Sequence, residues 1–197
     1  MSVIIGLTGP TGAGKSTAAA AAEGFGLQII DCDKLARAAT EKGTDGLKAL
    51  VAAFGKEILL PDGSLDRRAL AAAAFASHQK TELLNETILP HIVKLVLAEA
   101  DGKNVLLDAP TLFESGLNSV CTAVIAVSAN VEIRKERIIK RDGLSPDAAD
   151  LRINAGKTDE YYKQPADYFL YNNSDEKAFY ERFSDILEKI IGGNING

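Results

Sequence analysis

The sequence predicts an α/β fold, in which a five-stranded parallel sheet carries helices on both faces, with an inserted helical domain and a lid. Short apolar runs alternate with stretches of helical periodicity, a pattern typical of parallel sheets buried on both sides. A glycine-rich loop that ends in Lys-Ser stands between the first strand and the first helix. The length of 197 residues fits one domain that carries insertions.

Five apolar runs account for the predicted strands. Each run is four to eight residues long and is rich in Val, Ile, Leu or aromatic residues. Runs of this length that end at turn residues are typical of strands covered on both faces. The five runs are residues 3–8, 27–30, 104–108, 120–127 and 168–171.

Helical patterns fill most of the chain between these strands. The alanine-rich segment 15–23 predicts the first helix, because alanine has the highest helix propensity. Residues 131–141 predict a helix between the fourth and fifth strands. At the C-terminus, apolar residues at helical spacing over 179–190 predict a helix with one face docked on the sheet.

Two connections are longer than a βαβ crossover requires. About seventy residues separate the second and third strands, where a crossover needs roughly a dozen. Within them, residues 32–100 show helical patterns at 46–54, 66–75 and 80–100, and we interpret them as an inserted substrate-binding domain. The polar segment 142–166 is interpreted as a mobile lid. The whole chain, 1–197, is then one domain with two insertions.

The composition restricts the class of protein. The chain has 22 basic and 27 acidic residues, a formal net charge of −5 that argues against coating nucleic acid through bulk charge. No apolar run approaches the roughly 20 residues that span a bilayer, and the N-terminus lacks the basic region of a signal peptide. Two cysteines without metal-ligand spacing predict neither disulfides nor a zinc site. We therefore expect a cytoplasmic protein without nucleic-acid or membrane partners.

The motif GxxxxGK[ST] at residues 9–16 is the strongest functional signal in the sequence. Glycines let the main chain curl so that successive N–H groups converge on phosphate oxygens, and the following helix N-terminus adds partial positive charge. In this pattern the lysine reaches the β- and γ-phosphates of ATP, and the serine hydroxyl binds Mg²⁺. The predicted nucleotide-binding residues are Gly9, Pro10, Thr11, Gly12, Ala13, Gly14, Lys15, Ser16 and Thr17, with Ser16 as the Mg²⁺ ligand.

The motif does not specify the reaction, because GTPases, ATPases and small-molecule kinases share it. Asp108 is not followed by the glycine of a DxxG motif, and residues 172–175 lack the lysine of a guanine-binding NKxD. Two insertions beside a phosphate site favour a P-loop kinase-like protein, in which lids exclude water during transfer. A nucleoside monophosphate kinase, another small-molecule kinase and a non-enzymatic nucleotide switch remain alternatives.

Carboxylates follow the ends of two predicted strands, where ligands bind in doubly wound sheets. Asp31 and Asp33 follow the second strand, and Asp108 ends the third. A carboxylate there can accept a proton from an attacking hydroxyl or hold Mg²⁺ through water. The sequence leaves open which of Asp31 and Asp33 meets the hydroxyl, because Asp31 can equally cap a helix.

Three arginines on the predicted helix 131–141 supply candidate phosphate ligands. Arg134, Arg137 and Arg141 stand at i, i+3 and i+7 and therefore share one helix face. The guanidinium fork suits phosphate better than an ammonium does. The alternative is a solvated basic face that pairs with neighbouring glutamates.

Several segments, in order, resemble the dephospho-coenzyme A kinase family. The resemblance covers nearly the whole chain, although Leu89 and Gly156 stand where the family usually has His and Gln. The matching segments are the glycine-rich opening 6–17, the Asp-x-Asp of 31–33 with Arg37, the GSLDRR run at 63–68, residues 108–114, the arginines Arg137, Arg141 and Arg152, and 166–173.

The resemblance implies transfer of the γ-phosphoryl group of ATP to the 3′-hydroxyl of dephospho-coenzyme A. It implies that Asp33 and Lys15 are catalytic, and that Arg141 and Arg152 join the loop in binding ATP. The expected partner is this small molecule, with Mg²⁺ as the metal, and the protein is expected to be a monomer or a weak homo-oligomer. The implied substrate-binding residues are Asp33, Arg37, Arg67, Asp108 and Glu114.

Overall fold

The computed structural model describes residues 2–173 and 175–193. Its strands are β1 (Ile4–Thr8), β2 (Gln28–Asp31), β3 (Val105–Asp108), β4 (Ala123–Ser128) and β5 (Tyr168–Tyr171). Its α-helices are α1 (Lys15–Glu23), α2 (Cys32–Ala39), α3 (Asp45–Phe54), α4 (Arg67–Ala74), α5 (His78–Glu99), α6 (Val131–Asp142), α7 (Pro146–Asn154), α8 (Asp159–Lys163) and α9 (Glu176–Gly193). Short 3₁₀ helices form at Lys56–Ile58 and Leu117–Val120.

The strands form one sheet in the order β2-β3-β1-β4-β5. The β1–β3, β1–β4 and β4–β5 pairs are parallel, and Gly6 of β1 pairs with Leu107 on one side and Val124 on the other. All residues of β1 and β4 are buried, so these strands are covered on both faces. The predicted α/β class with five strands is therefore confirmed, and the glycine-rich loop follows the central strand.

The chain divides into two compact units, of which the first contains the sheet. This unit comprises the residues up to Ile30, Gly102–Leu112 and the residues from Val120 onward. Helices α1 and α9 contribute to its main apolar core, in which Phe179 and Phe183 of α9 are fully buried. The predicted C-terminal helix with one apolar face is thus observed.

The second unit is helical and comprises Asp31–Asp101 with Phe113–Ser119. Its centre is the long helix α5, which packs against α2, α3 and α4. The helical patterns predicted for this region match α3, α4 and α5 to within two residues at each end. Its substrate-binding role remains a prediction.

The segment predicted as a lid contains two helices that the sequence pattern does not predict. The Ser145 hydroxyl caps α7 by accepting a hydrogen bond from the Ala148 N–H at 3.3 Å, and proline opens the helix. Ala149 and Ile153, four residues apart, bury against Ile138 of α6. Two buried apolar residues in one short helix give too weak a period to stand out in a polar segment. The mobility of 142–166 remains a prediction.

Candidate active site

The glycine-rich loop joins the central strand β1 to helix α1. Gly14, the residue before the helix, has a φ of +96°, a left-handed conformation that favours glycine. Lys15 opens the helix and folds back, so that its Nζ donates hydrogen bonds to the main-chain oxygens of Gly9 at 2.7 Å and Pro10 at 3.3 Å. The ammonium group therefore lies against the loop that the sequence predicts to bind phosphate.

Two arginines of α6 bind the outward carbonyls of this loop. Arg134 Nε donates to the Thr11 oxygen at 2.9 Å, and Arg137 Nη1 donates to the oxygens of Gly12 at 3.3 Å and Ala13 at 3.2 Å. In a trans peptide the N–H points opposite to the C=O, and the described peptides are all trans. The amides that follow these three carbonyls therefore point away from the arginines. The Ala13 N–H donates to the Pro10 oxygen at 3.3 Å, which leaves the Gly12 and Gly14 amides as the candidates for contact with a phosphate.

Asn172, the residue after β5, holds the same loop. Its Nδ2 donates to the Ala13 oxygen at 3.1 Å, while its main-chain oxygen and Oδ1 accept from Arg137 Nη2 at 3.1 and 3.3 Å. Its own N–H is fixed by the oxygen of Ser128 at 2.7 Å. We call Arg134, Arg137 and Asn172 the loop brace. The sequence predicts the two arginines as candidate phosphate ligands and does not predict a functional role for Asn172.

Arg134 is a buried cation, with only 4% of its surface exposed. Burial lowers its pKa, and the nearby Asp159 carboxylate opposes that shift. Asp159 also accepts a hydrogen bond from the Ser128 hydroxyl at the end of β4. Arg134 is therefore not part of a solvated basic face, and it is not free to bind phosphate.

Arg141 and Arg152, predicted ATP ligands, share one carboxylate. Arg141 binds Asp142 through Nε at 2.7 Å and Nη2 at 2.8 Å, and Arg152 Nη1 binds the same group at 2.8 Å. The hydrogen bonds from Arg141 lower the pKa of Asp142. The structure thus brings these two arginines together, and their ATP-binding role remains a prediction.

Asp108 lies at the sheet edge from which the loop leaves. It ends β3 and stands beside Leu7 of the neighbouring β1 in parallel register. Its place at the carboxyl edge of the sheet is where ligands bind in this class of fold.

In the second unit, Asp31 and Asp33 occupy different environments. Asp31 caps α2, with its Oδ1 accepting from the Lys34 N–H at 3.1 Å. Burial acts to raise the pKa of Asp31, but the hydrogen bonds from Lys34 outweigh it and the pKa is lowered. Asp33 follows in the first turn and is exposed. Because Asp31 is engaged in the cap, Asp33 is the more available carboxylate of the two.

The remaining predicted substrate ligands also lie in the second unit. Arg67 Nη2 donates to the hydroxyl of Thr40, which terminates α2, and Arg37 lies in the last turn of that helix. Both arginines therefore lie near the same helix end. The main-chain oxygen of Glu114 accepts from Asn85 Nδ2 at 2.7 Å. The substrate-binding roles of these residues remain predictions.

The chain is similar in sequence to dephospho-CoA kinases. The sequence model of the dephospho-CoA kinase family matches residues 3–178. The dephospho-CoA kinase of Listeria innocua is 36% identical, with 97% of this chain and 98% of the relative covered. That of Mycolicibacterium paratuberculosis is 39% identical over 95% of this chain. The chain spans about half the length of the mycobacterial relatives, 47% in that example.

Solved structures agree with these sequence matches. A crystal structure from Thermus thermophilus has a TM-score of 0.74 and 30% identity, with 95% of this chain and 97% of the other covered. The dephospho-CoA kinase from Campylobacter jejuni has a TM-score of 0.62 and 25% identity, with 98% and 100% covered. A shikimate kinase from Acinetobacter baumannii, at 18% identity and a TM-score of 0.56, shares the fold alone.

Proposed function

Because the chain belongs to the dephospho-CoA kinase family, we propose that it transfers the γ-phosphoryl group of ATP to the 3′-hydroxyl of dephospho-coenzyme A. The products are coenzyme A and ADP. The nucleotide half of this proposal depends on the geometry of the loop of residues 9–17. Arg134 and Arg137 bind carbonyl oxygens of this loop, and the Lys15 ammonium lies against its first residue. The family supports the choice of acceptor.

In the proposed reaction, the acceptor oxygen forms a bond to the γ-phosphorus as the bond from that phosphorus to the bridging oxygen of ADP breaks. Lys15 and the loop amides stabilise charge on the transferring group, where most of the barrier reduction in phosphoryl transfer arises. Asp33 orients the hydroxyl and accepts its proton. Arg141 and Arg152 leave Asp142 to bind the triphosphate, and Arg37, Arg67, Asp108 and Glu114 bind the acceptor.

The side chains near the loop fit Mg²⁺ that binds together with the nucleotide. Among the described residues, no three His, Cys, Asp or Glu side chains are grouped to hold a metal. Mg²⁺ is ordinarily held by phosphate oxygens, waters and one or two protein oxygens, and the exposed Ser16 hydroxyl at the start of α1 can supply one of them. When bound, the ion neutralises charge on the phosphates.

We further propose a cytoplasmic monomer or weak homo-oligomer whose partner is this small molecule, without nucleic-acid or membrane partners. The net charge of −5 supports the proposal, because polyanions repel such a surface. Of the described helices, none combines the length and apolar character that a bilayer crossing needs.

An acceptor screen tests the proposed reaction. With Mg²⁺ and γ-labelled ATP, we expect label in dephospho-coenzyme A and not in AMP, in CMP or in reactions without acceptor. Lys15→Met should lower kcat by about 10²–10³-fold, because it removes one charge that stabilises the transition state. Lys103→Met, at an exposed loop position, is the matched control and should keep wild-type kcat. Label in AMP, or ATP turnover without acceptor, would instead support one of the alternative functions.

A pair of isosteric variants tests the proposed role of Asp33. We expect Asp33→Asn to lower kcat by about 10²–10⁴-fold with little change in ATP affinity, because it removes the proton acceptor. Asp31→Asn is the matched control, since asparagine caps helices as well as aspartate does. A large loss of kcat in Asp31→Asn with near-normal Asp33→Asn would reassign the proton acceptor.

A further inference from the structure

We propose that the loop brace, Arg134, Arg137 and Asn172, positions the nucleotide-binding loop for phosphate without itself contacting the phosphate. The three side chains bind main-chain oxygens of Thr11, Gly12 and Ala13 and so turn the Gly12 and Gly14 amides to the opposite side. The Ala13 amide is held within the loop by the Pro10 oxygen. They act through the loop and are therefore positioning residues. The inference rests on the proposed function only in taking the bound anion to be a nucleotide.

Arg137 has its guanidinium directed at the carbonyl side of the loop. Nη1 donates to two loop oxygens, and Nη2 donates to the main-chain oxygen and the Oδ1 of Asn172. Both terminal nitrogens are thus occupied on the side opposite to the loop amides. A planar fork can hold four acceptors in this way, whereas a lysine ammonium on a flexible stem lacks the matching geometry. This is the geometry of a group that fixes the main chain.

Asn172 acts through its contacts with the loop and with Arg137. The residue is 4% exposed and its side chain carries no charge, and its amide connects the Ala13 oxygen with the Arg137 fork. The contact is close, because a Cβ built on Gly14 would lie 2.1 Å from Asn172 Nδ2. A displacement of Asn172 is therefore transmitted directly to the last residue of the loop.

Arg134 adds a buried charge behind the loop. Its Nε holds the Thr11 oxygen, and its Nη2 is buried without a hydrogen-bond partner among the described residues. A buried, incompletely bonded cation costs free energy. The carbonyl end of a peptide is its negative end, so a cation there attracts it. This attraction favours the peptide orientation in which the N–H ends face an anion on the other side. The cost is consistent with a role in anion binding.

Binding of Mg-ADP tests the brace separately from catalysis. We expect Arg137→Ala and Asn172→Ala to raise the Kd of Mg-ADP by about tenfold to hundredfold. Each variant loses hydrogen bonds to the loop carbonyls, so the loop is no longer ordered for the nucleotide. The KM for dephospho-coenzyme A should stay within about twofold of wild type. Because the binding assay needs no acceptor, it remains interpretable even if the chain does not phosphorylate dephospho-coenzyme A.

Arg137→Lys separates geometry from charge. The lysine keeps the positive charge but cannot hold both the loop oxygens and Asn172, so we expect its Kd for Mg-ADP to resemble that of Arg137→Ala. Recovery of the wild-type Kd in Arg137→Lys would overturn the positioning role in favour of a charge effect. A wild-type Kd in Asn172→Ala would overturn it as well.

Arg182→Ala is the matched control. Arg182 is an exposed arginine whose guanidinium also binds main-chain oxygens. Those of Tyr171 at 3.0 Å and Ala178 at 3.2 Å lie outside residues 9–17. We expect its Kd to be that of wild type. Equal weakening in this control would show that any loss of arginine near β5 perturbs the site, and would contradict the specific role of the brace.

Folding of the variants is checked by thermal melting, and binding is measured well below each Tm. A merely structural role would lower Tm and leave the Kd of the folded protein unchanged, which would overturn the proposal. If Asn172→Ala does not fold, the smaller change Asn172→Ser takes its place. In folded Arg137→Lys, hydrogen exchange in residues 9–17 should be faster than in wild type, and unchanged exchange together with an unchanged Kd would contradict the brace.

Discussion

Gly14 is one of the loop positions at which the main chain and its surroundings both require glycine. Its φ of +96° lies in the left-handed region, and a side chain there would meet the Asn172 amide. Both the main-chain conformation and the available space therefore demand glycine. The GxxxxGK[ST] pattern predicts a glycine here because of the main-chain conformation alone. The lack of space beside Asn172 cannot be predicted from the pattern, because that contact joins distant parts of the chain.

Gly14→Ala tests how closely the loop and the brace are matched. Left-handed alanine costs about 1–3 kcal/mol, and the Cβ would also displace Asn172. We expect the Kd of Mg-ADP to rise at least about tenfold, as measured by calorimetry. Gly43→Ala is the control, since Gly43 has a φ of +90° with open space around it. Equal effects on Kd in both variants would show that the contact with Asn172 is unimportant.

Asp142 gives the site a predictable response to acid. The hydrogen bonds from Arg141 hold its pKa below its ordinary value of 3.8, so its ion pairs contribute to stability above that pH. The contribution is lost as pH falls through the lowered pKa of the folded state. Asp142→Asn should therefore lower Tm slightly at pH 7, and the difference should shrink as pH is lowered toward 2.

Thermal melts of both proteins across this pH range measure the difference in Tm. Asp185→Asn on α9 serves as the control, because the described contacts assign Asp185 no ion pair. A difference between wild type and Asp142→Asn that grows as pH falls would contradict the assigned direction of the pKa shift.

At the scale of elements, α7 is held to α6 by a small apolar contact and two ion pairs. Ile138, Ala149 and Ile153 are buried together. Lys135 Nζ lies 2.7 Å from Asp150 Oδ2, and Arg152 Nη1 lies 2.8 Å from Asp142 Oδ2. An exposed ion pair contributes little, so the apolar contact carries most of the stability of this pairing.

Ile153→Ala tests that contact. Removing a buried isoleucine costs about 2–5 kcal/mol, and we expect the loss to appear as local opening of α7. Hydrogen exchange of residues 146–154 should be faster, while exchange in β1 and β4 is unchanged. Leu151→Ala is the control on the same helix, because Leu151 is 72% exposed. Equal acceleration in both variants would rule out the apolar contact as the anchor of α7.

The elements that the sequence predicts are those with a strong local pattern. Continuous apolar strands and the long helix α5 each carry a pattern over their full length. Helices α7 and α8 do not, because they are short and polar and depend on contacts with α6 and β4 for their order. The nucleotide-binding loop is predicted because its motif is also a strong local pattern. The brace is missed because Arg137 and Asn172 are 35 residues apart and meet only in the folded chain.

At the scale of the whole molecule, the chain has two compact units, between which the proposed nucleotide and acceptor ligands are divided. The proposed nucleotide ligands, residues 9–17 with Arg141 and Arg152, belong to the unit that contains the sheet. The proposed proton acceptor Asp33 belongs to the helical unit. The second unit also includes Phe113–Ser119, which the predicted insertion 32–100 leaves out, because spatial contacts and not sequence continuity define it.

The whole molecule is proposed to deliver the γ-phosphoryl group of ATP, bound at this loop, to a ribose hydroxyl. Phosphorus NMR of a mixture of the protein, Mg-ATP and dephospho-coenzyme A tests it most directly, with Lys15→Met at the same concentration beside it. We expect ATP to be converted to ADP while an equal amount of a new 3′-phosphate monoester appears, and we expect the variant to form neither at a comparable rate. ADP without the monoester, a monoester at another hydroxyl, or equal turnover by Lys15→Met would contradict it.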